Sequence, residues 1–279
     1  MFNSRVPESR ATVTTTKPRA DSVAFLGAGT MGTALLRGSL LGGLDRHSVW
    51  VAARRAERAG ELAKELGVYA TTSNAEAAGN CAIVVLAVPP DAVPEIVVEI
   101  QDSLAPSTIL ISIADQISLT ELHEHLPVYT AAARVMPSLL CEIGSGISLV
   151  TFDERCTPAQ RQAASKLLGR SGQVIETSEE EQPVLAVLSS GGPGYFAYAA
   201  EAMIDALTEQ GVSGKAAREV AVAVMGGTAR WLAESDRTPS DLQRKVCTPG
   251  GAGSKRIAEL DRLGVAAGII AALMKNVDE

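Results

Sequence analysis

Three glycines stand where bare backbone amides can hold phosphate. Gly27, Gly29 and Gly32 lie in Val23-Ala-Phe-Leu-Gly-Ala-Gly-Thr-Met-Gly32, after an apolar run and before Thr33-Ala-Leu-Leu-Arg-Gly38, which opens a helical pattern. The first glycine suits a tight turn, the second lets a pyrophosphate approach the backbone, and the third lets helix and strand pack closely. Amides at the helix start then face the anion. Gly27, Gly29, Thr30, Met31 and Gly32 are therefore candidate cofactor-binding residues. An ordinary strand-to-helix turn has similar composition, and only the flanking strand and helix set this triplet apart.

The second strand, Ser48-Val-Trp-Val-Ala-Ala53, runs into Arg54-Arg55. An Asp or Glu at that place would accept bonds from an adenine ribose 2'-hydroxyl. Two guanidinium groups instead suit a 2'-phosphate, since the planar fork makes paired, charge-assisted bonds to its oxygens. NADPH is the expected cofactor, with Arg54 and Arg55 as its selectors. The alternative is a solvated helix start carrying Arg54, Arg55 and Arg58.

The elements that must hold these residues alternate. Strand candidates at 23–26, 48–53, 82–88, 108–113, 128–134, 146–151 and 173–177 are separated by helical stretches. Such alternation predicts a mostly parallel sheet with helices on both faces. After residue 178 strand signals vanish, and Ala-rich helical segments run over 183–210, 215–234, 240–245 and 257–277. The expected fold is α/β: an N-terminal Rossmann-type doubly wound sheet over 21–178, followed by an all-helical dimerisation domain over 179–279. Apolar helix faces such as Ala221-Val-Ala-Val-Met225 predict a core completed across a two-fold axis, hence a homodimer or higher homo-oligomer. Residues 1–20 mix Ser, Thr, Pro, Arg and Lys with no apolar segment, so a disordered tail is expected, not a secretory signal or membrane anchor.

A net charge of −7 gives no general pull toward nucleic acid or acidic lipid, so small molecules are the expected partners. Cys81, Cys141, Cys156 and Cys247 lie far apart, which predicts neither a zinc site nor a disulfide framework and suits a reducing cytoplasm. His123 and His125, two apart, fall on different helix faces, and no metal is expected.

Three further segments, with the glycine turn, resemble the pyrroline-5-carboxylate reductase family. They are Ala133-Arg-Val-Met-Pro137, Ser189-Ser-Gly-Gly-Pro-Gly-Tyr195 followed by Glu201-Ala202, and Val246-Cys-Thr-Pro-Gly-Gly251. The strand ends Leu86-Ala87-Val88 and Ile111-Ser-Ile-Ala114 also look like family positions. The resemblance implies NADPH-dependent reduction of a cyclic imine, pyrroline-5-carboxylate to proline. Departures accompany the matches. Arg134-Val-Met-Pro137 continues Ser138-Leu-Leu140 instead of Asn-Thr-Pro, and Pro89-Pro90-Asp91 replaces Lys-Pro-Gln. Asp115-Gln116 stands where the family prefers Ala-Gly, and Pro249-Gly-Gly251 continues Ala252-Gly-Ser-Lys-Arg256 where relatives carry Thr-Thr near the imine and the substrate carboxylate.

Imine reduction needs a hydride donor facing the C=N carbon, a proton for nitrogen and a hold on the carboxylate. Ligands of open parallel sheets bind beyond the carboxyl ends of the strands, which places the nicotinamide near Val88, Pro89 and Ala114, with Met136 and Pro137 lining the same cleft. Gly250, Gly251, Ala252 and Gly253 are the candidate substrate-binding turn, whose amides suit a carboxylate. Ser254 and Lys255 are the candidate catalytic residues, a hydroxyl and a cation, or else a solvated loop. Three readings remain open: pyrroline-5-carboxylate reductase, reductase of a different imine, and a non-catalytic NADPH-binding dimer. A 3-hydroxyacid dehydrogenase fits poorly, since residues 189–201 contain no Lys.

Overall fold

A computed structural model of the chain describes residues 21–275. The expected tail at 1–20 and the last residues of the 257–277 helix lie outside the described residues. The first compact unit interleaves strands and helices: β1 (Val23–Leu26), α1 (Thr30–Leu41), β2 (Val49–Ala52), α2 (Ala56–Leu66), β3 (Tyr69–Thr71), α3 (Asn74–Gly79), β4 (Ile83–Leu86), α4 (Val93–Ile100), β5 (Ile109–Ser112), α5 (Leu119–His125), β6 (Ala131–Pro137), β7 (Gly146–Phe152), α6 (Pro158–Gly169) and β8 (Gly172–Glu176). One eight-stranded sheet runs in the order β3-β2-β1-β4-β5-β6-β7-β8. All pairings are parallel except β6 with β7.

The strands are apolar on both faces because both faces are covered. Val23, Phe25, Val85 and Ile111 share one core with Leu35 of α1, Leu62 of α2 and Leu167 of α6. Their alternate neighbours Ala24, Leu26, Val84 and Leu110 share the other with Ala77 of α3, Val97 of α4 and Leu122 of α5. Fully burying one such Leu or Val contributes about 1.5–3 kcal/mol. Helix starts are set by side-chain caps: Ser118 with Glu121 opens α5, and Thr157 with Gln160 opens α6.

Among the described residues the second unit holds helices alone: the end of α7 (Glu181–Ser189), α8 (Gly192–Thr208), α9 (Gly214–Ala233), α10 (Pro239–Val246), α11 (Ala252–Arg262) and α12 (Val265–Leu273). The units part between Leu185 and Ala186, inside α7. The division lies a few residues beyond the 178–179 junction expected from the sequence, because Gln182 belongs to the first unit. Its side chain is fully buried and donates to the carbonyls of Arg134 and Leu149, 3.2 Å each.

Three other expectations shift. The strand expected to start at Val128 starts at Ala131, since Thr130 N–H turns back to the Pro127 carbonyl at 2.9 Å and Val128 is exposed; it runs on to Pro137 because β7 pairs with it. The helix expected over 183–210 breaks between Ser189 and Gly192, where a Cβ on Gly191 would sit 2.4 Å from the Tyr195 hydroxyl. The short edge strand β3 was not expected at all.

Candidate functional site

At the carboxyl ends of β1, β2 and β4 the glycine turn opens into a cleft of about 680 Å³. Each glycine of the triplet is there for a different reason. Gly27 has φ 104, and a Cβ on it would lie 2.4 Å from the Ala87 carbonyl oxygen, so this position admits only glycine. At Gly32 a Cβ would come within 2.6 Å of the Ala87 side chain, which is the close approach of α1 to the end of β4. Gly29 has nothing within 4 Å of its Cβ position and faces the cleft. The empty space beside Gly29 is room for a ligand.

Gly29 also caps α1, without a side-chain hydrogen bond and with no acidic residue in the first turn. The first amide to reach an acceptor along the helix is that of Thr33, 2.9 Å from the Gly29 carbonyl. The amides of Thr30, Met31 and Gly32 are thus left at the positive end of the helix dipole, the arrangement that suits a pyrophosphate. Thr30 is exposed, Met31 half-buried and Gly32 buried.

On the β2 side the cleft wall carries Arg54, Arg55 and Arg58. Arg58 bonds Glu61 at 3.2 Å. Arg54 and Arg55 are exposed and make no ion pair among the described residues, which leaves two forks available to phosphate oxygens. Asn74, Asp91, Ala92 and Ile96 also line the cleft. Sequence reasoning missed Asn74, Ala92 and Ile96; the four-residue spacing of Ala92 and Ile96 at the start of α4 is the signal that could have found the latter two.

Val88 and Pro89 line the cleft as expected of them. Ala114, Met136 and Pro137 do not form its walls. Ala114 is 4% exposed within the core under α4 and α5, Pro137 is buried at the end of β6 and Met136 is half-buried. The loop leaving Ala114 is bent sharply, with Gln116 in the left-handed region at φ 65 and its amide bonded to the Asp115 carboxylate at 2.8 Å. That conformation costs a non-glycine residue about 1–2 kcal/mol.

In the helical unit, Gly250 has φ 77 and Gly251 caps α11, so Ala252, Gly253, Ser254 and Lys255 occupy the first turn of a continuous helix. The Ser254 hydroxyl donates to the Gly251 carbonyl at 2.9 Å. Its proton is already engaged. A Cβ on Gly253 would lie 3.1 Å from the Cys247 sulfur, so a larger residue there must push Cys247 aside. Lys255 is exposed.

His123 Nε2 bonds the Asp153 carboxylate, and the described residues hold no cluster of three metal-ligating groups. Burial pushes the Cys81 thiol up to about 12 and the Cys156 thiol to about 11, far from the reactive range.

The sheet order, the glycine turn and the cleft beside it define a Rossmann-type dinucleotide-binding unit joined to a helical one. Residues 22–116 match the family model described as NADP oxidoreductase, coenzyme F420-dependent, and residues 179–279 match that of pyrroline-5-carboxylate reductase dimerisation. Pyrroline-5-carboxylate reductase 3 of Danio rerio is 30% identical over 251 residues, covering 90% of this chain and 87% of the relative. The corresponding enzyme of Corynebacterium melassecola is 29% identical, covering 88% of this chain and 92% of the relative. The structure of a pyrroline-5-carboxylate reductase from Coxiella burnetii superposes with a TM-score of 0.84 at 25% identity, covering 91% of this chain and 95% of that one. The chain belongs to the pyrroline-5-carboxylate reductase family.

Proposed function

We propose that the chain reduces pyrroline-5-carboxylate to proline with NADPH as the reductant. The observation that carries this reading is the cleft in which unpaired amides of α1 meet two unpaired arginines, in a chain of this family. NADPH, when bound, supplies the hydride. The residues present fit it: the α1 amides take the pyrophosphate, and Arg54 and Arg55 take the 2'-phosphate. A hydrogen bond to a charged group is worth about 1.5–3 kcal/mol, so one or two favour NADPH over NADH by about ten- to a few hundredfold.

A protonated cyclic imine is already electrophilic, so the protein's main task is alignment, a contribution of up to about 7–11 kcal/mol. The turn at Gly250 and Gly251 and the amides of Ala252 and Gly253 hold the substrate carboxylate at the start of α11, with Lys255 adding a cation. Ser254 takes a different part from that of a proton donor. With its proton on Gly251, its oxygen keeps lone pairs that accept a bond from the iminium N–H.

The apolar side chains of the helical unit are its contact with a second copy, and the family model for dimerisation supports that use of them. Buried free thiols suit a reducing cytoplasm. Among the described residues no helix is long and apolar enough to cross a membrane.

The lack of a hydroxyl side chain at Ala252 and Gly253 favours, as a second reading, a different imine. Turnover with NADPH of pyrroline-5-carboxylate and of a six-membered cyclic imine decides between them: faster reduction of the five-membered acid is expected, and preference for the larger ring overturns the assignment. Tight NADPH binding with no oxidation by either imine leaves the chain a binding protein.

A further inference from the structure

Arg134 has a buried guanidinium that nothing in the cleft accounts for. Its side chain is only 9% exposed, and its Nε has no hydrogen-bond partner among the described residues. Two carboxylates lie within 4 Å, Asp115 Oδ1 at 3.9 Å from Nη2 and Glu179 Oε1 at 3.9 Å from Nη1, and Glu121 feels the same charge from farther away. Both distances lie beyond hydrogen-bond length. A buried pair of such geometry adds little to stability, since desolvation offsets the attraction, so a different return is to be sought.

The partners supply it. Asp115 belongs to the loop that leaves β5, where its carboxylate also accepts the amide of the left-handed Gln116. Glu179 Oε1 accepts the amide of Leu119, the first residue of α5, at 2.7 Å. One guanidinium thus places its charge between Asp115 within the loop 113–118 and Glu179, whose carboxylate accepts the amide of Leu119 just after it. In register, Arg134 sits beside Ser112, the last residue of β5.

Strands lie about 4.8 Å apart. A dinucleotide held by its 2'-phosphate at the end of β2 and by its pyrophosphate at the β1 turn would extend past β4 toward β5, the strand that this loop leaves, although the loop itself is not part of the cleft wall. We infer that Arg134 is a positioning residue, which fixes loop 113–118 under the nicotinamide end of the dinucleotide. The inference rests on the dinucleotide reading of the cleft.

Calorimetry on the full chain with two nucleotides tests it: NADPH, and 2'-phospho-adenosine diphosphoribose, which lacks the nicotinamide ring. Arg134→Met is expected to weaken NADPH by about tenfold while leaving the truncated nucleotide within about twofold, and Arg134→Lys to recover part of the loss. Equal losses for both nucleotides, or none, overturn the inference. Should Arg134→Met fail to fold, Asp115→Asn combined with Glu179→Gln keeps both acceptors and removes both charges. A selective NADPH loss of about threefold or more is then expected, and unchanged NADPH affinity overturns the inference. Wild-type protein that binds neither nucleotide overturns the dinucleotide reading itself, a result distinct from an Arg134 variant that behaves as wild type.

Discussion

The two units use similar apolar residues in opposite ways. In the sheet unit Leu35, Ile109 and Ile111 are at most 1% exposed, whereas in the helical unit Tyr198, Val224 and Met274 expose 81%, 61% and 77%. The helical unit buries mainly small residues, among them Ala200, Ala217 and Ala221. A sheet covered on both faces closes its own core, while helices apolar on more than one side leave large apolar patches of the kind that mark interaction surfaces. The sheet unit is thus built to hold a ligand against a finished scaffold, while the helical unit keeps the apolar surface for which contact with a second copy is proposed.

Charge on the helical face is the strongest way to break this contrast. Val224→Asp is expected to weaken self-association by a hundredfold or more, read by sedimentation at low concentration, with NADPH affinity little changed. An unaltered oligomer would show that α9 lies outside the contact. Within the sheet unit the glycines sharpen the distinction between scaffold and ligand room. Gly29→Val should lower NADPH affinity by about a hundredfold while moving the melting temperature by less than about 2 °C. Gly27→Val, whose Cβ meets the Ala87 carbonyl, should cost about 3 kcal/mol or more in folding. If both variants lose stability alike, the space beside Gly29 is not a ligand site.

Next in size, Arg54→Asp with Arg55→Ser should reduce the preference for NADPH over NADH by about ten- to a few hundredfold in competition titrations. Equal loss for both nucleotides would remove the pair from the 2'-phosphate. The smallest effect is at the bent loop. Gln116→Gly relieves the left-handed strain and should stabilise the chain by about 0.5–1 kcal/mol in urea unfolding, the gain being trimmed by glycine's entropy.

Much of the scaffold was legible because its signals are local. The glycine spacing, the apolar runs expected at 23–26 and 108–113 and the arginines after β2 depend on neighbours within a few residues, and the strands observed at 23–26 and 109–112 match those runs to within a residue. What was not legible depends on distant partners. β3 is three residues long at a sheet edge and gains its identity from pairing with β2. The end of β6 was hidden because antiparallel β7, not local propensity, extends it to Pro137. Asn74 and Ile96 reach the cleft from separate helices, α3 and α4. The direction of the Ser254 hydroxyl is set by the cap of α11, which composition alone does not reveal.

The buried Gln182 bears on how the protein can be divided. Its amide donates to two strand carbonyls, those of Arg134 and Leu149, in addition to the ladder between β6 and β7. A fragment ending at residue 178 would lose both bonds, at a cost of about 0.5–1.5 kcal/mol each. A truncated nucleotide-binding module intended for expression should therefore retain the opening turn of α7 and stop after Leu185.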